Sequence, residues 1–266
     1  AQKKQLEEQR AKLHELEIER RRLHNLIQEL KGNIRVFCRV RPVLPEEQER
    51  QKGLEHLQFP PEDNTTLVLS RLDEVSHPLL TFFLHAPSPA SPQSALDGYH
   101  VCIFAYGQTG SGKTYTMEGP EVGDAQSRGV IPRAVGQLFH GAQELAEKGW
   151  KYDFSASFLE IYNESLRDLL GAQGEGRGAE LEIRRVSVAS DELHVPNLRR
   201  VPVACEEEVL GLLQTAATNR SVAATALNDR SSRSHFIFQL HIRGHHPASG
   251  LRCASVLSLV DLAGSE

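Results

Sequence analysis

Gly107, Gln108, Thr109, Gly110, Ser111, Gly112, Lys113 and Thr114 follow the G-x-x-x-x-G-K-[ST] spacing of a phosphate-cradling loop. Glycines let a backbone wrap closely around phosphate oxygens with its N–H groups turned inward. Lysine at 113 is placed to reach β- and γ-phosphates, and the Thr114 hydroxyl suits Mg²⁺. A helix expected to start near Lys113 adds the positive end of its dipole. Just upstream, Val101-Cys-Ile-Phe-Ala-Tyr106 is an apolar, β-prone run, the buried strand expected to feed such a loop. Strand, loop and helix start together read as a nucleotide-phosphate site.

Two later segments hold the parts of a nucleotide switch. Asn228-Asp-Arg-Ser-Ser-Arg-Ser-His235 packs three hydroxyls and two guanidiniums just before a strand. Val256-Leu-Ser-Leu-Val-Asp261 is an apolar strand ending in a carboxylate, the usual second Mg²⁺ anchor beside a phosphate loop. Gly264 follows it, and a flexible glycine there can offer its N–H to a γ-phosphate and swing away on hydrolysis. Arg233 and Glu266 are placed to pair between the two segments.

Elements must hold these groups in place. Residues 1–31 contain no Gly or Pro, and a heptad register fits with Leu6, Leu13, Arg20 and Ile27 at a and Gln9, Leu16, Leu23 and Leu30 at d. Six of these eight are apolar, as a coiled coil requires, and Arg20 weakens the seam. Gly32 ends that pattern, and alternation over Ile34-Arg-Val-Phe-Cys-Arg-Val40 predicts a strand. Residues 43–78 read as polar loop with one weak strand, Thr66–Ser70. An apolar run Leu79–Leu84 precedes a segment whose prolines at 87, 89 and 92 argue against helix or central strand. Gly129-Val-Ile-Pro-Arg starts a helix with Pro132 in its first turn, ending at Lys148-Gly149. Strands are expected over Tyr152–Tyr162, Phe236–Ile242 and Val256–Val260, with shorter ones between Leu181 and Val203. Residues 171–180 are Gly-rich and expected to be a mobile loop. Glu206-Glu-Glu208 opens a helix with Val209, Leu212, Leu213 and Ala216 on one face. This alternation predicts an α/β sheet covered on both sides.

Composition sets outer bounds. Of 266 residues, 39% are hydrophobic and 24% charged, ordinary for a soluble globular chain, and the net charge of −5 argues against a nucleic-acid partner. No apolar run approaches the ~20 residues of a membrane span, which argues against a membrane partner. Cys38, Cys102, Cys205 and Cys253 form no C-x-x-C pair and are expected to be buried reduced thiols of a cytosolic or nuclear protein.

The chain resembles a kinesin motor domain of the subfamily with its motor at the C-terminal end. Phe104-Ala-Tyr-Gly-Gln-Thr-Gly-Ser-Gly-Lys-Thr114, Ser231-Ser-Arg-Ser-His235 and Asp261-Leu-Ala-Gly-Ser-Glu266 are similar to that family's phosphate loop, switch I and switch II. Leu30-Lys-Gly-Asn-Ile-Arg-Val-Phe-Cys-Arg-Val-Arg-Pro42 is similar to its neck junction. The resemblance implies an α/β, P-loop NTPase-like motor whose central sheet is flanked by helices, with a coiled-coil neck over 1–31 and the motor over 32–266. It implies ATP and Mg²⁺, microtubules as partner, ATP-driven and minus-end-directed movement, and a homodimer formed through the neck. Cytoplasm and the microtubule cytoskeleton, including the spindle, are the implied locations.

Residue by residue, the resemblance implies that Arg39, Arg41 and Pro42 border adenine and ribose. Tyr115 stacks on the adenine, unless it is a core aromatic. Thr114 and Ser232 reach Mg²⁺, with Asp261 behind a bound water. Ser231 and the Gly264 N–H sense the γ-phosphate, and Arg233 and Glu266 close a salt bridge around the hydrolytic water.

Two departures from the family pattern stand out. The strand and full helix expected before Gln93-Ser-Ala-Leu-Asp-Gly-Tyr99 are replaced by Leu79–Pro92, leaving a helical stub. The chain also stops at Glu266, inside a motif, and is expected to be C-terminally truncated. Little of the family's track surface is then expected beyond the segment around Glu192–Arg200. Two rivals follow. A non-motor switch of the GTPase type is disfavoured because no N-K-x-D guanine-reading segment occurs. A motor-dead dimerising fragment acting as an interaction protein is the alternative.

Overall fold

The computed structural model describes residues 2–32, 34–49, 57–62, 67–69, 90–120, 127–171, 181–187, 193–225 and 233–266. The chain divides into two compact units, Ala1–Ser88 and Pro89–Glu266. The expected apolar run at 79–84 and the Gly-rich loop at 172–180 lie outside the described residues.

In the first unit, helix α1 runs Gln2–Leu30. Same-face ion pairs support it: Lys12–Glu15 at 2.9 Å, Arg20–Glu17 at 2.9 Å and Arg21–Glu17 at 3.2 Å. Burial pushes the Glu17 carboxyl up, but hydrogen bonds and charge from Arg20 and Arg21 outweigh it and hold it below its ordinary range. Gly32, at φ +93°, closes the helix with its N–H on the Glu29 carbonyl. The heptad leucines stay in the open, Leu13 at 66% and Leu30 at 79% exposure, whereas the Glu17 and Arg21 side chains are 14% and 11% exposed.

The strand expected over Ile34–Val40 does not form. Only Phe37 makes an isolated bridge, and Ile34 is 90% exposed. Alternation marks a face that could be buried; a strand also needs a neighbour for its N–H and C=O groups. Further on, helix α2 (Pro45–Glu49) forms within the segment expected to be polar loop, with Pro45 and two acids in its first turn as start signals. Glu47 accepts the Leu44 N–H at 3.0 Å. Strand β1 (Leu57–Gln58) pairs antiparallel with β2 (Val68–Leu69), which falls within the weak strand expected at 66–70.

The second unit opens with α3 (Ala90–Leu96), a helix inside the proline-rich stretch that was expected to exclude one. Pro92 lies in its first turn, where the missing N–H has no helical partner to lose. Then come β3 (Val101–Ala105), α4 (Lys113–Met117), α5 (Val130–Glu147), β4 (Lys151–Tyr162) and β5 (Ser165–Asp168). They are followed by β6 (Arg184–Arg185), β7 (Leu193–His194), β8 (Val201–Val203), α6 (Glu206–Thr225), β9 (Ser234–His246) and β10 (Leu251–Asp261). Asn163 and Glu164, both at positive φ (48° and 61°), turn β4 into β5 as a two-residue hairpin.

Among the described residues the main sheet has the order β3-β10-β9-β4-β5, with β8 also on β4. β3 and β10 run parallel, and the other pairs are antiparallel. Register sets Phe158 opposite Phe238, and Leu240 opposite Leu257, on one face. That face meets the apolar stripes of α3, α4, α5 and α6: Leu96, Met117, Val135, Leu138, Val209 and Leu213 join it in one buried cluster.

On the second face Ser157, Leu159 and Val260 are buried as well, whereas the β3 edge of that face is exposed. All four helices of the unit contribute to that one cluster, and β3 turns Cys102 and Phe104 (59% exposed) the other way. The feeding strand is therefore half-open rather than buried. All four cysteines are free; Cys102 is exposed and the other three are half-buried.

His241, on that second face of β9, has its titration pushed down to about 4 by burial and by Arg200, Arg243 and His100. Its folded value lies below its unfolded value of ~6.5. The neutral ring therefore supports the fold fully above pH ~6.5, and that support drains away as pH falls toward about 4. Replacing His241 with Gln should flatten the loss of thermal midpoint between pH 6.5 and 4. Parallel melting curves for parent and variant across that window would refute this.

Candidate nucleotide-binding site

The parallel pairing of β3 with β10 sets Ala105 beside Asp261, so the loop leaving one strand meets the carboxylate ending the other. Leu262 N–H donates to the Ala105 carbonyl at 3.2 Å, and Ser265 N–H to the Gly107 carbonyl at 3.1 Å. Asp261-Leu-Ala-Gly-Ser-Glu266 is thereby laid along Gly107–Thr114.

The loop's shape depends on glycine. Gly110 and Gly112 have φ of +78° and +89°, and a Cβ on either would meet nothing within 4 Å, so the hollow they rim is open. Gly112 is also the N-cap of α4, which begins at Lys113 as expected. Lys113 Nζ donates to the carbonyls of Gly107 and Gln108, both at 2.9 Å, and so stands at the loop's mouth. Thr114 Oγ1 donates to Asp261 Oδ2 at 2.6 Å. Asp261 is 2% exposed, and its second oxygen, Oδ1, has no hydrogen-bond partner among the described residues.

A buried carboxylate with one oxygen bare, beside a hydroxyl, is a donor set suited to a hard divalent cation, which takes oxygen ligands. Thr114 and Asp261 fit Mg²⁺ on that ground. Ser231 and Ser232 lie outside the described residues.

Gly264 and Glu266 join the loop from the other side. The Glu266 carboxylate accepts the Thr109 N–H at 2.9 Å and also the Thr109 hydroxyl. These bonds, with the charge of Lys113, hold it below the ordinary carboxylate range. Gly264 lies so close to Thr109 and Glu266 that a Cβ would overlap both. Arg233 is exposed and makes no ion pair with Glu266 among the described residues; the Glu266 carboxylate lies on Thr109. The switch segments meet instead through His235, whose Nδ1 accepts the Ala263 N–H at 3.1 Å. Tyr115 is 47% exposed, which excludes the core-aromatic reading. Arg39, Arg41 and Pro42 belong to the first unit, where Arg41 is ion-paired with Glu47 and donates to the Pro42 carbonyl at 3.1 Å.

Sequence reading missed a buried charge network behind Asp261. On α6, Arg220 places Nη1 3.7 Å from Asp261 Oδ2 and Nε 3.8 Å from Glu160 Oε1. Its Nη2 donates to Ser234 Oγ at 3.3 Å, and its guanidinium lies 5.4 Å from the Phe236 ring centre. Glu160, 1% exposed on β4, also has Arg167 Nη1 at 3.8 Å. Burial pushes the Glu118 carboxyl up; the charge of Arg220 opposes this and that of Asp261 adds to it. The one available signal was Glu160 itself, an acid on the inward-facing phase of an apolar strand, which needs a cation.

Known proteins resemble this chain in sequence and fold. A family model described as "Kinesin motor domain" matches residues 86–266, and one described as "Microtubule binding" matches residues 13–78. "Carboxy-terminal kinesin 2" of Xenopus laevis is 54% identical over 98% of this chain and 43% of its own length. "Kinesin-like protein KIFC1" of Homo sapiens is 54% identical over 95% of this chain and 42% of its own. Among solved structures, the "C-terminal motor and motor homology domain of Kar3Vik1 fused to a synthetic heterodimeric coiled coil" superposes with a TM-score of 0.78. It is 34% identical, covering 98% of this chain and 68% of that one. The chain thus spans less than half the length of these two relatives. Its motor-domain match, its P-loop against Asp261 and its likeness to C-terminal motors place it in the kinesin family, in the branch with the motor at the carboxy-terminal end.

Proposed function

We propose that this chain is the ATP-hydrolysing part of a minus-end-directed microtubule motor, with its nucleotide on Gly107–Thr114. The observation that carries the reading is the Thr114–Asp261 hydrogen bond beside the bare Asp261 Oδ1, at the rim of an open glycine hollow. Mg²⁺, when bound, neutralises phosphate charge, with Thr114 and Asp261 as its holders and Ser232 as a third. Lys113 leaves the loop carbonyls for a β- or γ-oxygen, and the loop amides orient the phosphates. Gly264 offers its N–H to the γ-phosphate, and Ser231 does the same from switch I. Arg233 and Glu266 pair once Glu266 leaves Thr109, closing the water's pocket. Tyr115, 47% exposed, stacks on the adenine. Catalysis by positioning and charge needs no covalent intermediate. Phosphate release from ATP should require Mg²⁺ and fall at least roughly tenfold in Thr114→Val, which keeps the shape and removes the oxygen. Equal turnover of parent and variant in Mg²⁺ would refute the assignment.

Residues 1–31 form the neck and residues 32–266 the motor in this reading, and two chains pair through the exposed leucine seam of α1. Microtubules are the track and the cytoskeleton the location, the spindle included. The alignment with the Xenopus relative is 282 residues long against a chain of 266, so that relative has residues with no counterpart here. We place that gap before Gln93. About four heptads with Arg20 at an a position should give a weak dimer, tightened by Arg20→Leu. Sedimentation equilibrium showing monomers for both versions at high concentration would refute the pairing.

A further inference from the structure

Sheet register lines up cations on the face away from the core. Lys151 of β4 is paired with His245 of β9, and His245 with Arg252 of β10. Their strand neighbours Tyr152 and Phe154, Gly244 and Ile242, and Leu251 and Cys253 alternate onto the core face, so these three basic side chains stand in one row. Directly paired residues on one face hold their Cβ atoms ~5 Å apart. The next row is Asp153, Arg243 and Ala254, and the one after it Ser155, His241 and Val256. Lys151, Arg243 and Arg252 are exposed and His245 half-buried, and among the described residues none of the four forms an ion pair. Nearby, His241 Nε2 is buried without a hydrogen-bond partner, and the positive surroundings help keep its ring neutral. Lys151 and Arg252 therefore flank His245 as exposed cations that an anion can meet.

We propose that this end of the open sheet face docks a short acidic polypeptide segment, its carboxylates on Lys151, His245 and Arg252. Two observations favour a peptide over a phosphate polymer. Asp153 stands in the adjacent row, where it repels a dense polyanion but can accept a peptide N–H. The side chains around the row, Ser155, Ala254 and Val256, offer no aromatic platform for a nucleic-acid base. The patch lies nine residues of β10 before Asp261, ~30 Å from the nucleotide site, so this inference stands apart from the motor reading.

Fluorescence anisotropy of a labelled hexaglutamate peptide, titrated with the 266-residue protein, tests it. Saturable binding that weakens with added salt is expected. Lys151→Glu with Arg252→Glu should weaken it roughly tenfold or more, and Lys151→Gln with Arg252→Gln by less. All four substitutions are at exposed positions, and melting curves matching the parent confirm the fold. No saturable binding, equal affinity in the charge-reversed variant, or tighter binding of hexauridylate RNA that the charge reversal abolishes would overturn the proposal.

Discussion

Replacing Arg220 with Ala is expected to destabilise the second unit by about 3–5 kcal/mol, because it strands two buried carboxylates. Glu160 and Asp261 are 1% and 2% exposed, and Arg220 is the cation within 3.8 Å of both. At those separations charge rather than a hydrogen bond links Arg220 to the two acids, so no neutral donor could substitute. Arg167 sits at 3.8 Å from Glu160 alone and leaves Asp261 uncompensated. Denaturant midpoints at unchanged slope read the effect. A double variant, Glu160→Gln with Arg220→Met, should recover part of the loss by removing the stranded charge at 160 together with its partner. A loss below ~1 kcal/mol in Arg220→Ala would mean that the network is solvated and that its burial is misread.

Lys113→Ala is expected to weaken nucleotide binding by on the order of 2–3 kcal/mol, roughly 30- to 150-fold in dissociation constant. The ammonium donates to the Gly107 and Gln108 carbonyls. Exchanging those for a phosphate oxygen gains a charge-assisted bond that alanine cannot supply. Both carbonyls can be met by water in the variant, so the fold should be untouched and the melting curve unchanged. Isothermal titration with ATP checks both halves, and equal affinity in parent and variant would refute the role of Lys113.

The site was legible in the sequence where chemistry forces spacing. Gly107–Thr114 carries backbone conformations and a charge that few alternatives satisfy, and Asp261 ends an apolar run with its carboxylate on Thr114 of that loop. Helix α5 was legible from a strong apolar stripe and from Pro132 in its first turn, and α6 from the first-turn acids Glu206–Glu208. Elements that depend on a distant neighbour were not. Ile34–Val40 alternates as a strand does, yet only Phe37 makes a bridge. Asn163-Glu164 makes a hairpin turn without a glycine, its left-handed backbone favoured by asparagine alone. Pro92 is tolerated because of where the helix begins, which depends on backbone bonds rather than composition. The burial of Glu160 and Arg220 depends on β4, β9 and α6 converging, which a single sequence does not display.

Backbone hydrogen exchange, followed with and without ATP and Mg²⁺, tests the central assignment most directly. Amides of residues 105–118 and 259–266 should slow on binding, because the phosphates are held by loop N–H groups and by the segment after β10. Lys113→Ala should abolish that slowing at nucleotide concentrations that saturate the parent. Slowing confined to other parts of the chain, with Gly107–Thr114 exchanging as fast as before, would contradict the account.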